Sequence, residues 1–204
     1  MIYLIIGSII VLNIIVFYSI FGMPKHSLRH LKKLSLEFNG SVSLLGILKG
    51  QLNKNYFHIR IRGEYIEISL STSFFFQRKI AIYTQAPGPV LFMRRINVMD
   101  LDERRKIYIY SNQQDSNELF FSELFIDNIL KLIRCCVYPD QKKLEDILTN
   151  KNQVALKIKS KKICICFKYS PIKINGAFIN DILDKMHHIS FLMEEEKRSH
   201  IEEV

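Results

Sequence analysis

The sequence predicts an α+β fold, with an N-terminal transmembrane helix followed by a mainly antiparallel sheet with packed helices. Three observations predict it. The first 23 residues carry no Asp, Glu, Lys or Arg. Residues 56–70 and 154–170 alternate apolar and polar side chains, the period of a half-buried strand. Residues 117–136 and 177–196 space their apolar side chains as helices do, and the elements follow no regular βαβ rhythm.

From Ile2 to Met23 there are 22 residues. As a helix they reach ~33 Å, enough for a hydrocarbon core of ~30 Å. A cleavable signal peptide would need a basic start, a shorter core and small residues before the cut. Here no Lys or Arg precedes the core, and it exits through Tyr18-Ser19-Ile20-Phe21-Gly22-Met23. Residues 1–23 therefore read as a retained anchor. Asn13 falls near mid-membrane, where its amide either meets a partner helix or is tolerated by so long an apolar segment. Tyr3 and Tyr18 sit where interfacial aromatic belts form.

Lys25, Arg29, Lys32 and Lys33 follow the anchor directly, among His26 and His30. By the positive-inside rule this flank stays in the cytoplasm, which places the N-terminus outside and the domain inside the cell membrane. From Pro24 to Arg62 there are eight basic residues against one acid, Glu37, within an overall formal charge of +9. Such a cluster beside a membrane helix is suited to anionic lipid headgroups, and Lys25, Arg29, Lys32 and Lys33 form the lipid-facing set. Nucleic acid is the other obvious anion. It is the disfavoured partner, because no recognised nucleic-acid motif accompanies the charge.

Residues 24–40 form a basic juxtamembrane helix, with leucines at 28, 31 and 34 and a break at Pro24. Asn39-Gly40 stops it. Val42 to Leu48 reads as a first short strand closed by Lys49-Gly50. Phe57, Ile59 and Ile61 alternate with His58, Arg60 and Arg62; Gly63-Glu64 then turns into residues 65–70, giving a hairpin. Phe74–Phe76 with Lys79–Tyr83 reads as a further strand, and Ala86-Pro87-Gly88-Pro89 as a loop or subdomain seam. Val90–Met93 and Ile107–Tyr110 complete this part, the latter behind Arg104-Arg105-Lys106.

Residues 117–136 form a helix with a polar stripe of Glu123, Asp127, Lys131 and Arg134. Asp115 and Glu118 supply a capping box before it, and Arg134 suits its C-terminal dipole. Pro139–Thr149 fits a short helix. Val154–Ser170 reads as a second hairpin, turning at Ser160-Lys161-Lys162, and Asn175-Gly176 ends the sheet region. The last helix runs from Ala177 to about Glu196, with Phe178, Ile182, Met186, Ile189 and Met193 along one face. The domain spans 41–196, and residues 197–204 form a charged, frayed tail. Leu31–Leu70 and Ile126–Tyr169 thus share a pattern of helix then basic hairpin, without residue-level identity between them.

Cys135, Cys136, Cys164 and Cys166 form a vicinal pair and a Cys-x-Cys, which is neither a secreted disulfide framework nor the spacing of a zinc site. Small buried apolar side chains are their default role. His187-His188 point about 100° apart on a helix, a poor chelate. Asp181 and Asp184, with Lys185 nearby, read as a solvated helix face. No Gly-rich phosphate loop, His-Glu-x-x-His or Gly-x-Ser-x-Gly occurs. The sequence thus supplies no catalytic, cofactor-binding or metal residues and no small-molecule substrate.

What remains is a single-pass membrane protein whose cytoplasmic domain binds a partner protein, the membrane surface or its own copy. The alternatives are a membrane-tethered enzyme whose site has no sequence signature, and a membrane-bound nucleic-acid binder. The last would require a continuous basic face turned away from the bilayer.

Overall fold

The alternation from Tyr56 to Leu70 forms the predicted hairpin, and the rest of the sheet grows outward from it. The computed structural model describes residues 7–11, 13, 25–84, 94–96, 107–112, 123–136 and 154–202. In chain order the elements are α1 (Lys25–Glu37), β1 (Ser41–Val42), β2 (Ile47–Leu52), β3 (Asn55–Arg62), β4 (Tyr65–Tyr83), β5 (Arg94–Ile96), β6 (Tyr108–Ser111), α2 (Glu123–Cys136), β7 (Ala155–Lys168) and α3 (Gly176–Glu202). The fold is α+β. Its antiparallel sheet has the order β1-β2-β3-β4-β6-β5, and β7 pairs along the other edge of β4.

The hairpin turns where the sequence places it, at Gly63-Glu64, with Gly63 at φ 57 and Arg62 opposite Tyr65. A second two-residue loop, Asn53-Lys54, joins β2 to β3 with both residues left-handed, the backbone of a primed hairpin turn. The predicted stop at Lys49-Gly50 is not a stop. Both residues lie inside β2, where Gly50 pairs with Phe57. A Cβ on Gly50 would overlap the fully buried Phe57 ring, so the glycine is there to let the ring lie over the strand.

β4 runs unbroken for 19 residues and absorbs what the sequence presents as two strands. β7 runs for 14 residues, and the predicted turn at Ser160-Lys161-Lys162 lies within it. The second hairpin is therefore a single strand, and the loose repeat between the two halves of the chain does not exist as structure. Ser160 has φ 28, and the β4–β7 register shifts between Ser71 and Phe76 and again between Phe76 and Ile80. This is a bulge. Before it the buried β7 residues are Leu156 and Ile158; after it they are Ile163, Ile165 and Phe167. The irregularity changes which parity faces the core, so both apolar runs are buried.

α1 ends as predicted. Asn39 is left-handed at φ 47, and the Gly40 N–H reaches back to the Ser35 carbonyl at 2.8 Å, the six-to-one bond of a Schellman cap. Asn175-Gly176 has a different role from the one its turn character suggests, because it starts α3. The Asn175 side-chain oxygen accepts the Phe178 N–H at 2.9 Å as an N-cap, and Glu37 accepts the Gly176 N–H at 2.9 Å. The end of α1 is thereby tied to the start of α3. The charged segment after Glu194 continues as helix to Glu202.

One apolar cluster joins α1, α2, α3 and the sheet, from Leu31 and Leu34 through Phe57, Phe125 and Phe167 to Leu192. Among the described residues no helix is long and apolar enough to cross a membrane. The proposed anchor lies outside the described residues except for 7–11 and 13, which are helical. There the Asn13 amide donates to the Ile9 carbonyl at 2.8 Å, within its own helix. The seam at 86–89, the strand at 90–93, the basic run 104–106, the Asp115–Glu118 capping box and the helix at 139–149 also lie outside them.

Replacing Gly50 with Ala forces the Phe57 ring off the strand, and we expect a loss of ~1–3 kcal/mol. Asn175→Ala removes the α3 cap at a cost of ~1 kcal/mol. Urea unfolding of the full-length chain, followed by circular dichroism, measures both. A Gly50→Ala protein as stable as its parent would mean that Phe57 does not lie over the glycine.

Candidate functional site

Helical spacing puts Leu31 and Leu34, both fully buried, on the inner face of α1 beside Ser27. Lys25, Arg29, Lys32 and Lys33 recur at intervals that stack on the opposite face, and all four are exposed. The structure thus brings the predicted basic cluster together as one stripe. Glu37, the helix's acid, is drawn toward the Gly176 N–H. Leu36 continues the stripe, and Leu44 and Leu45 stand exposed in the turn after β1.

A second basic surface was not foreseen. α1 and α3 cover one side of the sheet, where Ile59, Ile61, Ile66, Ile68, Ile163 and Ile165 are buried. The alternate residues point the other way. Register aligns Lys49, His58, Ser69 and Cys164 in one row, and Arg60, Glu67 and Cys166 in the next. Arg62, Tyr65 and Lys168 form a third. Beyond the bulge, Ala81 is flanked by Tyr110 and Lys157, and Tyr83 by Tyr108.

Aromatic rings punctuate this charge. Tyr56 is 63% exposed and Tyr65 41%. The Tyr83 and Tyr110 rings meet edge-to-face at 5.9 Å; Lys157 Nζ lies 5.8 Å from the Tyr83 ring, and the Arg95 guanidinium 5.0 Å from that of Tyr108. Glu67 is the one carboxylate that register places on this face among the described residues.

Titration reflects the same environment. Burial, with Lys162 and Lys49 beside it, holds His58 below the usual histidine range. Burial raises the thiols of Cys164 and Cys166, while Lys157 acts on both in the opposite sense. Lys157 lies on the far side of the bulge from these cysteines.

The nucleophile and metal candidates do not assemble into a reactive site. The Cys135 thiol donates to Asp181 at 3.0 Å, and Asp181 also pairs with Lys185. Burial and the carboxylate raise Cys135, which keeps it a protonated thiol. Cys136 is buried and its thiol is pushed further up by desolvation. Cys164 and Cys166 are half-buried on the open face, not in the core as small apolar fillers. His187 is half-buried and His188 exposed on α3. Among the described residues no group of three or more His, Cys, Asp or Glu is placed to hold a metal ion.

No protein-family model and no curated protein matches the sequence. Among solved structures, the chain resembles the crystal structure of the mycobacterial trehalose monomycolate transport factor A, TtfA. The two share 11% identity over 83% of this chain and 96% of that one, with a TM-score of 0.49. A likeness at that level says nothing about activity.

His30 is also held below its usual range, chiefly by burial, and its Nδ1 lies 2.7 Å from the Tyr169 hydroxyl. With His30 and His58 both depressed, the unfolded chain binds more protons than the folded one as pH falls past the ordinary histidine value of about 6.5. Stability should therefore rise with pH across that window and fall on acidification. We expect a lower thermal midpoint at pH 5.5 than at pH 7.5, and a smaller difference in a His30→Gln, His58→Gln protein. An unchanged difference would assign the acid sensitivity to other groups.

Proposed function

We propose that the protein is a membrane-held binding module, anchored through residues 1–23, with the outer stripe of α1 laid on anionic lipid headgroups on the cytoplasmic side of the cell membrane. The reading is carried by one observation: Lys25, Arg29, Lys32 and Lys33 share the exposed face of α1 while its acid turns to the Gly176 N–H. Near an anionic surface each such charge contributes ~1 kcal/mol, so the stripe supplies roughly 4 kcal/mol at low salt. The exposed Leu36 adds an apolar contact at the end of the stripe. α1 packs on one side of the sheet, so a bilayer against its outer face leaves the other face of the sheet turned away. The domain then presents that face to a partner while the anchor fixes its position.

A chain lacking residues 1–23 should be released from the membrane fraction by high salt without detergent, yet sediment at low salt with vesicles containing phosphatidylglycerol and far less with pure phosphatidylcholine. Changing Lys25, Arg29, Lys32 and Lys33 to Gln should weaken that sedimentation roughly a thousandfold at low salt, the equivalent of the ~4 kcal/mol above. Equal sedimentation by the Gln variant would remove the stripe from the account.

A further inference from the structure

The sheet face opposite α1 and α3 is the surface that the bilayer reading leaves free for a partner. Its cations come from several strands: Lys49 on β2, Arg60 and Arg62 on β3, Lys157 and Lys162 on β7. Glu67 alone opposes them among the described residues, so a ligand on this face meets positive potential along its length. In the helix layer, Asp127 pairs with Lys131 and Asp181 with Lys185 on their own helices.

We propose that this face binds a single strand of nucleic acid. The proposal goes beyond the bilayer reading and does not depend on it. Two observations select this occupant. Alternating cations on adjacent strands suit a polyanion with a repeating charge, whereas a metabolite would need a closed pocket with a few convergent groups. Tyr56 and Tyr65 offer exposed rings at the two ends of the β3–β4 hairpin, and bases stack on such rings with little regard for sequence. The face also lies on the side of the sheet opposite α1, as a membrane-bound nucleic-acid binder requires.

The experiment uses the full-length chain in nanodiscs of neutral lipid, with fluorescence anisotropy of labelled twenty-nucleotide oligo-dT and oligo-U across a salt series. Both strands should bind, and any preference between them identifies DNA or RNA as the natural form. Affinity should fall with salt by about 0.7 log units per phosphate contact for each log unit of salt. Arg60→Gln with Lys157→Gln and Lys162→Gln should weaken binding at least tenfold and flatten that slope by about 2, three contacts at ~0.7 each. Tyr56→Ala with Tyr65→Ala should weaken binding roughly thirtyfold or more, two stacked bases at ~1 kcal/mol or more each, with the slope unchanged. Lys131→Gln with Arg134→Gln, exposed on α2, should change nothing.

Absence of strand binding overturns the proposal. So does an equal loss in the α2 variant, which would mean diffuse charge and not this face. Equal affinity for polyglutamate would make the surface an acidic-protein site, and binding of phosphatidylglycerol vesicles through Arg60, Lys157 and Lys162 would make it a lipid site. Either result also overturns it.

Discussion

Everything else in the domain depends on the pairing of β4 with β7. β3 and β6 hydrogen-bond to β4 at residues 57–62 and 108–111, and β7 runs along its other edge at both ends. The two strands are some 90 positions apart in sequence, so their pairing carries a large loop-closure cost that only extensive burial offsets. That burial is possible on one face only if β7 changes parity midway. Ser160, at φ 28, makes the change. Without it, a regular strand that buried Leu156 and Ile158 would send Ile163, Ile165 and Phe167 to the outside. The bulge is thus the condition for a single core.

The same constraint explains what could be read from the sequence and what could not. The β3–β4 hairpin was legible because alternation and a positive-φ Gly63 are local signals, and α1 because Leu31 and Leu34 recur at helical spacing. Ser160-Lys161-Lys162 misled, since a polar triplet between two apolar runs looks the same whether the chain reverses or bulges. What separates the cases is a partner strand almost a hundred residues upstream. Lys49-Gly50 misled for a related reason: the glycine is required by the Phe57 ring on the neighbouring strand, and that contact exists only once register is known. Asn175-Gly176 carries the chemistry of both a turn and a helix N-cap, and here the cap is completed by Glu37 from the end of α1.

The basic stripe on α1 was visible for the reason α1 itself was, since 3.6-residue periodicity assigns Lys25, Arg29, Lys32 and Lys33 to one face without tertiary information. The sheet's basic face had only a faint local trace, the alternation of Arg60 with Arg62 and of Tyr108 with Tyr110. Its assembly needs the register of four separate segments and the side of the sheet that the helices choose. Charge on strands is read correctly only after the core side is known.

Charge distribution also separates the two surfaces physically. At physiological ionic strength, exposed charges act over about 8 Å. The α1 stripe and the basic face of the sheet lie on opposite sides of a helix layer and a sheet, farther apart than that, so each attracts its own counter-charge independently. An anionic bilayer held by α1 would not screen Lys157 or Arg60, and a polyanion on the sheet would not compete for Lys32 or Lys33.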